Sequence, residues 1–190
     1  GRIGKEVSRR AKPFGARLTY YDVQRLSPEM EGSLDLTYRP LDELISQSDI
    51  ITIHTPLVPQ TENLINADRI ARMKPNAIII NVSRGRIVDE AALAKALKEK
   101  RIQGAGLDVY AEEPITTGNP LLDAPNVIMT PHIAGATNES RARIVDLTID
   151  NVVSVLRGQE PVNIVNGVKP RFSRWQCSGG AGFRGPNYEG

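Results

Sequence analysis

Cysteine and histidine are scarce in this sequence, and their scarcity limits the chemistry open to the chain. A single cysteine, Cys177, cannot form a disulfide within the chain, so we expect a reducing, cytoplasmic setting. One cysteine and two histidines exclude a Cys-rich zinc site, and we predict no metal site. No apolar run is long enough to cross a bilayer. The 24 basic and 22 acidic residues nearly balance, so we expect neither a nucleic acid nor a membrane as partner.

Apolar runs alternate with helix-like segments along the 190 residues. The runs IITI (50–53) and AIIINV (77–82) are typical of strands buried on both faces of a parallel sheet. The pattern predicts a doubly wound α/β fold, in which ligands bind beyond the carboxyl ends of the strands. Predicted strands cover 16–22, 34–40, 50–56, 77–82, 102–109 and 126–131. Predicted helices cover 2–15, 41–49, 66–75, 89–100 and, as one long helix, 139–163.

The first four residues, GRIG, stand directly before a predicted helix, and Asp22 ends the next predicted strand. This order matches the second half of the G-x-G-x-x-G dinucleotide fingerprint with its acidic partner. Gly1 would let the backbone approach a pyrophosphate, and Gly4 would allow close helix packing. The Asp22 carboxylate would accept bonds from the ribose and repel a 2′-phosphate, which favours NAD, although nearby Arg25 weakens that preference. The alternative is an ordinary helix start followed by a turn aspartate.

Charged side chains also follow the later strands. Arg84 comes just after strand 77–82, Asp108 and Glu113 after strand 102–109, and His132 after strand 126–131. Each of these residue types alone is more often a solvated loop residue. Together, at the same edge of a parallel sheet, an arginine, a carboxylate and a histidine are expected to share one cleft. Arg86, two residues beyond Arg84, is expected to be solvated.

With these motifs in place, the span from Gly1 to about Asn166 resembles the D-isomer-specific 2-hydroxyacid dehydrogenases. The resemblance rests on GRIG, YYD, HTPLVPQT, MKPNAIIINVSRGRIVDE, AGLDVYAEEP and NPLLDAPNVIMTPHIAG, which occur in the family's order. It implies a Rossmann-type sheet and hydride transfer between NAD(H) and a small 2-hydroxy or 2-oxo acid. The implied catalytic residues are Arg84, which binds the substrate carboxylate, His132, the general acid/base, and Glu113, which pairs with His132.

The resemblance also implies how the cofactor is bound. Arg2 and Ile3 meet the pyrophosphate through backbone amides, Asp22 meets the ribose, and Asp108 holds the nicotinamide carboxamide. The full set of predicted cofactor-binding residues is Gly1, Arg2, Ile3, Gly4, Asp22, Pro56, Val82, Ser83, Asp108, His132 and Gly135. The second histidine, His54, is expected to line the cofactor cleft without acting as the acid.

Two related functions are weighed against this one. Formate dehydrogenases resemble the family but carry Gln where this chain has Glu113, and formate oxidation needs no proton on a carbonyl oxygen. Glu113 therefore argues for an alcohol/ketone couple. NAD(H)-sensing corepressors also resemble the family and keep the same arginine, glutamate and histidine, so a binding module stays open as the alternative.

The resemblance divides the chain into three parts. Residues 1–135 are expected to form the NAD-binding domain without its first strand, and 136–166 to be a linking helix and return segment of an absent substrate domain. Residues 167–190, different in composition, are expected to be a disordered or foreign tail. We expect the chain alone to be inactive, with sheet edges prone to aggregate, and the whole protein to be a homodimer.

Overall fold

The computed structural model describes residues 1–165, in which helices and short parallel strands alternate. The strands are β1 (Leu18–Tyr20), β2 (Leu36–Tyr38), β3 (Ile50–Ile53), β4 (Ile78–Asn81), β5 (Gly104–Leu107) and β6 (Val127–Met129). The helices are α1 (Arg2–Ala11), α2 (Pro28–Leu34), α3 (Leu41–Gln47), α4 (Ala67–Arg72), α5 (Glu90–Lys98) and α6 (Asn138–Leu156), with 3₁₀ turns at Lys12–Phe14 and Pro120–Asp123.

Every strand pairing in the described residues is parallel. Strands β1 and β2 form a two-stranded sheet, and β3, β4, β5 and β6 form a four-stranded sheet in that order. Parallel neighbours require helical crossovers, which the intervening helices supply. The predicted α/β class with a parallel, Rossmann-like sheet is confirmed.

The core lies around the four-stranded sheet. Its fully buried side chains come from β4, from the helices α3, α4 and α5, and from the adjoining loops: Ile45, Ile65, Ile70, Met73, Ile79, Ile87, Leu93, Leu97 and Leu121. Burial of this apolar surface is the main stabilising contribution to such a fold. The strands β1 and β2 contribute no buried side chain.

The expectation that strand β3 is buried on both faces is wrong. Its side chains alternate between exposed and buried, and Ile50 is 60% exposed while Ile51 and Ile53 are buried. Successive side chains of a strand point to opposite faces of the sheet, and only the face with Ile51 and Ile53 packs against the core of the described residues. An apolar run identifies a strand but does not show how many of its faces are covered.

Helix starts follow the expected capping chemistry. The side chain of Asp89 accepts a hydrogen bond from the Ala92 amide and begins α5, which ends in lysines. Thr137 caps α6 in the same way through the Ser140 amide. Such caps satisfy amides that have no partner within the helix. Helix α2, which we did not predict, begins at Pro28 with Ser27 as its cap.

Contacts within the chain define two compact units, Gly1–Ala134 and the residues from Gly135 onward. In the second unit α6 is shorter than predicted and has no buried residue. Its return segment is joined to it by paired amides of Asn151 and Asn163, at 3.1 and 3.2 Å. The assignment of 136–166 to a substrate domain stays a prediction, and the predicted tail 167–190 lies outside the described residues.

No helix within residues 1–165 is long and apolar enough to cross a membrane. Over the same residues, no group of three or more His, Cys, Asp or Glu side chains is arranged to hold a metal ion.

Candidate active site

Three loops at the carboxyl ends of β4, β5 and β6 carry the predicted catalytic residues. They surround an open cavity of about 230 Å³ that Arg84, Glu113 and His132 line together. Parallel strands point their carboxyl ends to one edge of the sheet, which explains why residues so distant in sequence meet. The cavity suits a small ligand, since drug-sized pockets usually begin near 300 Å³.

The turn after β4 positions Arg84 through a buried asparagine. Asn81, the last residue of β4, is only 2% exposed. Its side-chain oxygen accepts bonds from the Ser83 amide at 3.1 Å and hydroxyl at 2.9 Å, and its amide donates to the Arg84 carbonyl at 2.9 Å. A buried amide satisfied on both sides fixes the local backbone. Arg84 therefore leaves the strand in a defined direction.

The two arginines of this turn have different partners. Arg86 forms an ion pair with Glu62 and is 57% exposed, so it is at the surface, as expected, but not free. Within residues 1–165 no carboxylate lies within ion-pair distance of Arg84, whose Nη1 donates to the carbonyl of Ser83 at 2.6 Å. An exposed guanidinium without a carboxylate partner is suited to bind an anionic ligand.

His132 and Glu113 form a hydrogen-bonded pair. Nδ1 of His132 lies 2.7 Å from Oε2 of Glu113, and Oε1 of Glu113 accepts the Tyr110 amide at 3.0 Å. The hydrogen bond with His132 has the largest effect on the pKa of Glu113, and the bond from the Tyr110 amide has the next largest. Together they hold this pKa below its usual range, so the carboxylate is ionised at neutral pH. With Nδ1 facing the carboxylate, Nε2 is the nitrogen left for a ligand.

Asp108 holds the backbone around His132. It is 3% exposed, and its oxygens accept bonds from the Thr130 hydroxyl at 2.5 Å and from the amides of Ile133 and Ala134, each at 2.8 Å. These bonds enclose His132, whose φ of 55° lies in the left-handed region that few non-glycine residues adopt. The predicted contact of Asp108 with a nicotinamide carboxamide stays a prediction. Within residues 1–165, all hydrogen bonds of its carboxylate go to Thr130, Ile133 and Ala134, in the loop that carries His132.

Tyr110 connects the two loops that carry the histidine pair. Its hydroxyl lies 3.0 Å from the Leu107 carbonyl and 2.9 Å from the Thr130 carbonyl. Burial raises the pKa of the phenol, so the hydroxyl keeps its proton and remains a donor. Tyr110 thus orients Glu113 through its amide and the strand before His132 through its side chain. No pattern in the sequence indicates this role of Tyr110.

Gly85 is the second residue that the sequence analysis missed. A Cβ added there would lie 1.8 Å from the carbonyl oxygen of Tyr110 and 2.1 Å from its carbon. The arginine turn and the Glu113 loop therefore meet backbone to backbone, which only glycine permits. The sequence signal was the glycine within SRGR, which gives no indication of what lies opposite it.

The predicted nucleotide-binding residues cluster at the start of the chain. Helix α1 begins at Arg2, and the backbone nitrogen of Gly1 lies 3.2 Å from Oδ2 of Asp22, which follows β1. A Cβ on Gly4 would lie 3.8 Å from the His54 ring, an ordinary van der Waals contact, so the predicted need for glycine in the packing of this helix is not seen here. Nε2 of His54 lies at hydrogen-bond distance, 2.9 Å, from Oγ1 of Thr52. His54 is not among the residues that line the cavity beside His132. Burial lowers the pKa of His54.

The remaining predicted cofactor residues lie in loops. Val82 and Ser83 belong to the arginine turn, the Pro56 carbonyl accepts the Thr61 hydroxyl at 2.7 Å, and Gly135 begins the second unit. Their contacts with a cofactor stay predictions.

Replacing Asp108 by Asn is expected to lower the free energy of unfolding by about 1–3 kcal/mol at pH 7, because a buried ionised acceptor of three bonds is lost. Burial raises the pKa of Asp108, but bonds from Thr130, Ala134 and Ile133 outweigh it and the net pKa is lowered. A lowered pKa stabilises the fold fully above the usual value near 3.8, and the contribution disappears as the pH falls through the lowered value. The difference in the free energy of unfolding between the parent protein and Asp108→Asn should therefore become smaller in acid.

Urea unfolding followed by circular dichroism between pH 7 and pH 3 measures this difference. Asp146→Asn, at an exposed position of α6, is the matched control and should change little. An Asp108→Asn protein as stable as that control at pH 7 would contradict the role given to Asp108.

The chain resembles known proteins over most of its length. Residues 1–134 match the family model described as D-isomer specific 2-hydroxyacid dehydrogenase, NAD binding domain. A glyoxylate reductase of Korarchaeum cryptofilum is 46% identical over 87% of this chain and 50% of its own length. A hydroxypyruvate reductase of Blautia hydrogenotrophica is 45% identical over 87% and 51%. The chain spans about half the length of the curated relatives it matches.

A solved structure gives the same likeness in three dimensions. The D-isomer specific 2-hydroxyacid dehydrogenase from Lactobacillus delbrueckii ssp. bulgaricus, in its NAD complexed form, superposes with a TM-score of 0.76 at 36% identity. The likeness covers 87% of this chain and 54% of that one.

Proposed function

Since this chain belongs to the D-isomer-specific 2-hydroxyacid dehydrogenase family, with an NAD-binding domain over residues 1–134, we propose that the protein reduces a small 2-oxo acid to its D-2-hydroxy acid. Two similar proteins are named glyoxylate reductase and hydroxypyruvate reductase, which favours a short, polar 2-oxo acid. The observation that carries the proposal is that Arg84, with no carboxylate partner in residues 1–165, lines the same cavity as the His132–Glu113 pair.

The start of α1 fits the pyrophosphate of a dinucleotide. The first amides of α1 have no carbonyl partner within the helix, and helix N-termini favour anions. Asp22 would bind the ribose hydroxyls. Bound NADH supplies the hydride that reduces C2 of the substrate.

The chain's own residues would then perform three tasks. Arg84 binds the substrate carboxylate and turns the carbonyl toward the cofactor, which lowers the entropic part of the barrier. The imidazolium of His132 donates a proton from Nε2 to the carbonyl oxygen as negative charge develops there. Glu113, ionised at neutral pH, stabilises the charged imidazolium and fixes its orientation through Nδ1.

The direct test is to mix the full-length protein with NADH and with glyoxylate, hydroxypyruvate or 3-phosphohydroxypyruvate. The oxidation of NADH is monitored by its absorbance. Turnover with at least one of the three acids is expected. Tight NADH binding without turnover on any of them would instead support the NAD(H)-sensing binding module.

Replacing Arg84 by Lys is expected to raise KM for the 2-oxo acid about 10- to 100-fold, because a lysine cannot form two parallel hydrogen bonds to a carboxylate. A bond to a charged group contributes about 1.5–3 kcal/mol, which corresponds to that range. The affinity for NADH, measured by fluorescence titration, should stay within about twofold, since a change of that size is only about 0.4 kcal/mol.

Arg86→Lys is the matched control, because it makes the same exchange two residues away in an arginine already paired with Glu62. Its KM should change far less than that of Arg84→Lys. Equal effects of the two exchanges would show that the general charge of the turn, and not a contact from Arg84, holds the substrate.

A further inference from the structure

Arg25 lies three residues after Asp22, at the end of the molecule where the proposed function places the adenosine ribose. In dinucleotide-binding folds an acidic residue at this point favours NAD, whereas a nearby arginine accommodates the 2′-phosphate of NADP. The chain has both residue types. The choice between the two cofactors therefore depends on whether the Arg25 guanidinium is free.

One edge and one face of the Arg25 guanidinium are engaged. Nε donates to Oε1 of Glu31 at 2.8 Å, and Nη2 donates to Oε2 at 3.1 Å, which makes a two-pronged ion pair. The carbon of the guanidinium also lies 5.2 Å from the centre of the Tyr38 ring. The two-pronged pair with a carboxylate is the kind of contact that an arginine would otherwise make with a phosphate.

Glu31 is held firmly enough to keep this partner. Its side chain is 14% exposed, against 63% for Arg25, so the carboxylate is the fixed member of the pair. Oε1 of Glu31 also accepts the Tyr20 hydroxyl at 2.7 Å, and the oxygen of that hydroxyl accepts the Leu26 amide at 2.8 Å. The bonds from Arg25 and Tyr20 lower the pKa of Glu31, so it is charged at neutral pH.

Asp22 supplies a second negative charge in the same turn. Its Oδ1 accepts the Gln24 amide at 3.3 Å, a bond that shapes the turn leading to Arg25. A 2′-phosphate arriving here would meet the Asp22 carboxylate and an arginine whose charge is already paired with Glu31.

We propose that Glu31 determines cofactor choice by occupying Arg25, so that discrimination against NADP rests on two carboxylates, Asp22 at the ribose and Glu31 behind the arginine. This inference rests on the proposed function in so far as it needs a dinucleotide at Asp22. It adds a specificity-determining residue that touches the competing arginine and not the cofactor.

Glu31→Gln tests the proposal in the full-length protein. Glutamine keeps the size of the side chain and an oxygen for the Tyr20 hydroxyl but loses the charge that holds Arg25. Fluorescence titration with NADPH and with NADH should give about tenfold tighter NADPH binding, since the freed guanidinium gains a charge-assisted contact with phosphate. The NADH affinity should be unchanged. Glu29→Gln, an exposed position in the same turn of α2, removes the same charge and should leave both affinities unchanged.

Two further variants decide what causes any gain. In the double variant Glu31→Gln with Arg25→Gln, the gain in NADPH affinity should disappear, because no guanidinium remains. Arg25→Gln alone should leave NADPH affinity unchanged, because Glu31 already withholds that arginine. This single variant tests the proposal even if Glu31→Gln fails to fold.

The proposal is overturned if a folded Glu31→Gln protein has the same ratio of NADPH affinity to NADH affinity as the parent. It is also overturned if the gain in NADPH affinity persists in the double variant, or if Glu29→Gln gives an equal gain. Weaker NADPH binding in Arg25→Gln alone also overturns it. A parent protein that binds neither cofactor would overturn the proposed function itself, and this inference with it. If the parent protein binds NADH, the inference about Glu31 can fail while the proposed function stands.

Discussion

Replacing His132 by Asn is expected to lower kcat for 2-oxo acid reduction by about 10²- to 10⁴-fold, the usual contribution of a positioned general acid. Nδ1 of His132 is engaged by Glu113 at 2.7 Å, which leaves Nε2 to deliver the proton. No other histidine lines the cavity within residues 1–165. Asparagine is the better replacement than alanine here, because it tolerates the left-handed backbone at this position, where φ is 55°.

Steady-state NADH oxidation measures the effect, and NADH titration shows whether the cofactor site is intact. His54→Asn is the control, since this ring bonds Thr52 and lies outside the cavity. A His54→Asn protein that loses turnover while His132→Asn keeps it would reverse the assignment of the acid. In Glu113→Gln the same loss should be smaller, because the proton donor itself remains.

The second large effect is expected from Gly85→Ala, which should lower the free energy of unfolding by about 3 kcal/mol or more. The added methyl group would overlap the Tyr110 carbonyl, with 1.8 Å to the oxygen, and would lie 2.7 Å from the Ala111 amide. These neighbours are backbone atoms, so no side-chain rotation can relieve the overlap. Either the arginine turn or the Glu113 loop must move, and turnover should fall with stability.

Gly118→Ala is the matched control, because a Cβ there meets nothing within 4 Å. Urea unfolding of the two variants, together with their kcat values, separates a local clash from a general cost of replacing glycine. If Gly85→Ala unfolds at the same urea concentration as Gly118→Ala, the close approach to Tyr110 is not present in solution.

The fold was predictable where apolar runs are long and unbroken, as in β3 and β4. Helix α2 was missed although Ser27 and Pro28 are typical of a helix start, because Leu34 is its only buried residue and the apolar periodicity is faint. The predicted strands were also too long. Strand β1 covers three residues where seven were expected, since polar flanking residues were included with the paired segment.

The meeting of Arg84, Glu113 and His132 in one cavity followed from a topological rule, since parallel strands send their carboxyl ends to one edge. Gly85 and Tyr110 were not predictable in the same way. They contact backbone atoms of loops that are distant in sequence, so their partners appear only once the chain is folded. Asn81 and the pair of Arg25 with Glu31 have partners nearby in sequence, but their bonds depend on turns whose backbone the sequence does not specify.

The described strands differ in how many buried apolar side chains they carry. Strands β1 and β2 have none, whereas β3, β4 and β5 contribute to the main core. Segments with few buried apolar contacts open at a lower free energy than the global transition, and their amide hydrogens exchange sooner. A ligand that binds only the closed form of such a segment stabilises it by mass action. Cofactor occupancy at Asp22 would therefore set how often this half of the domain opens.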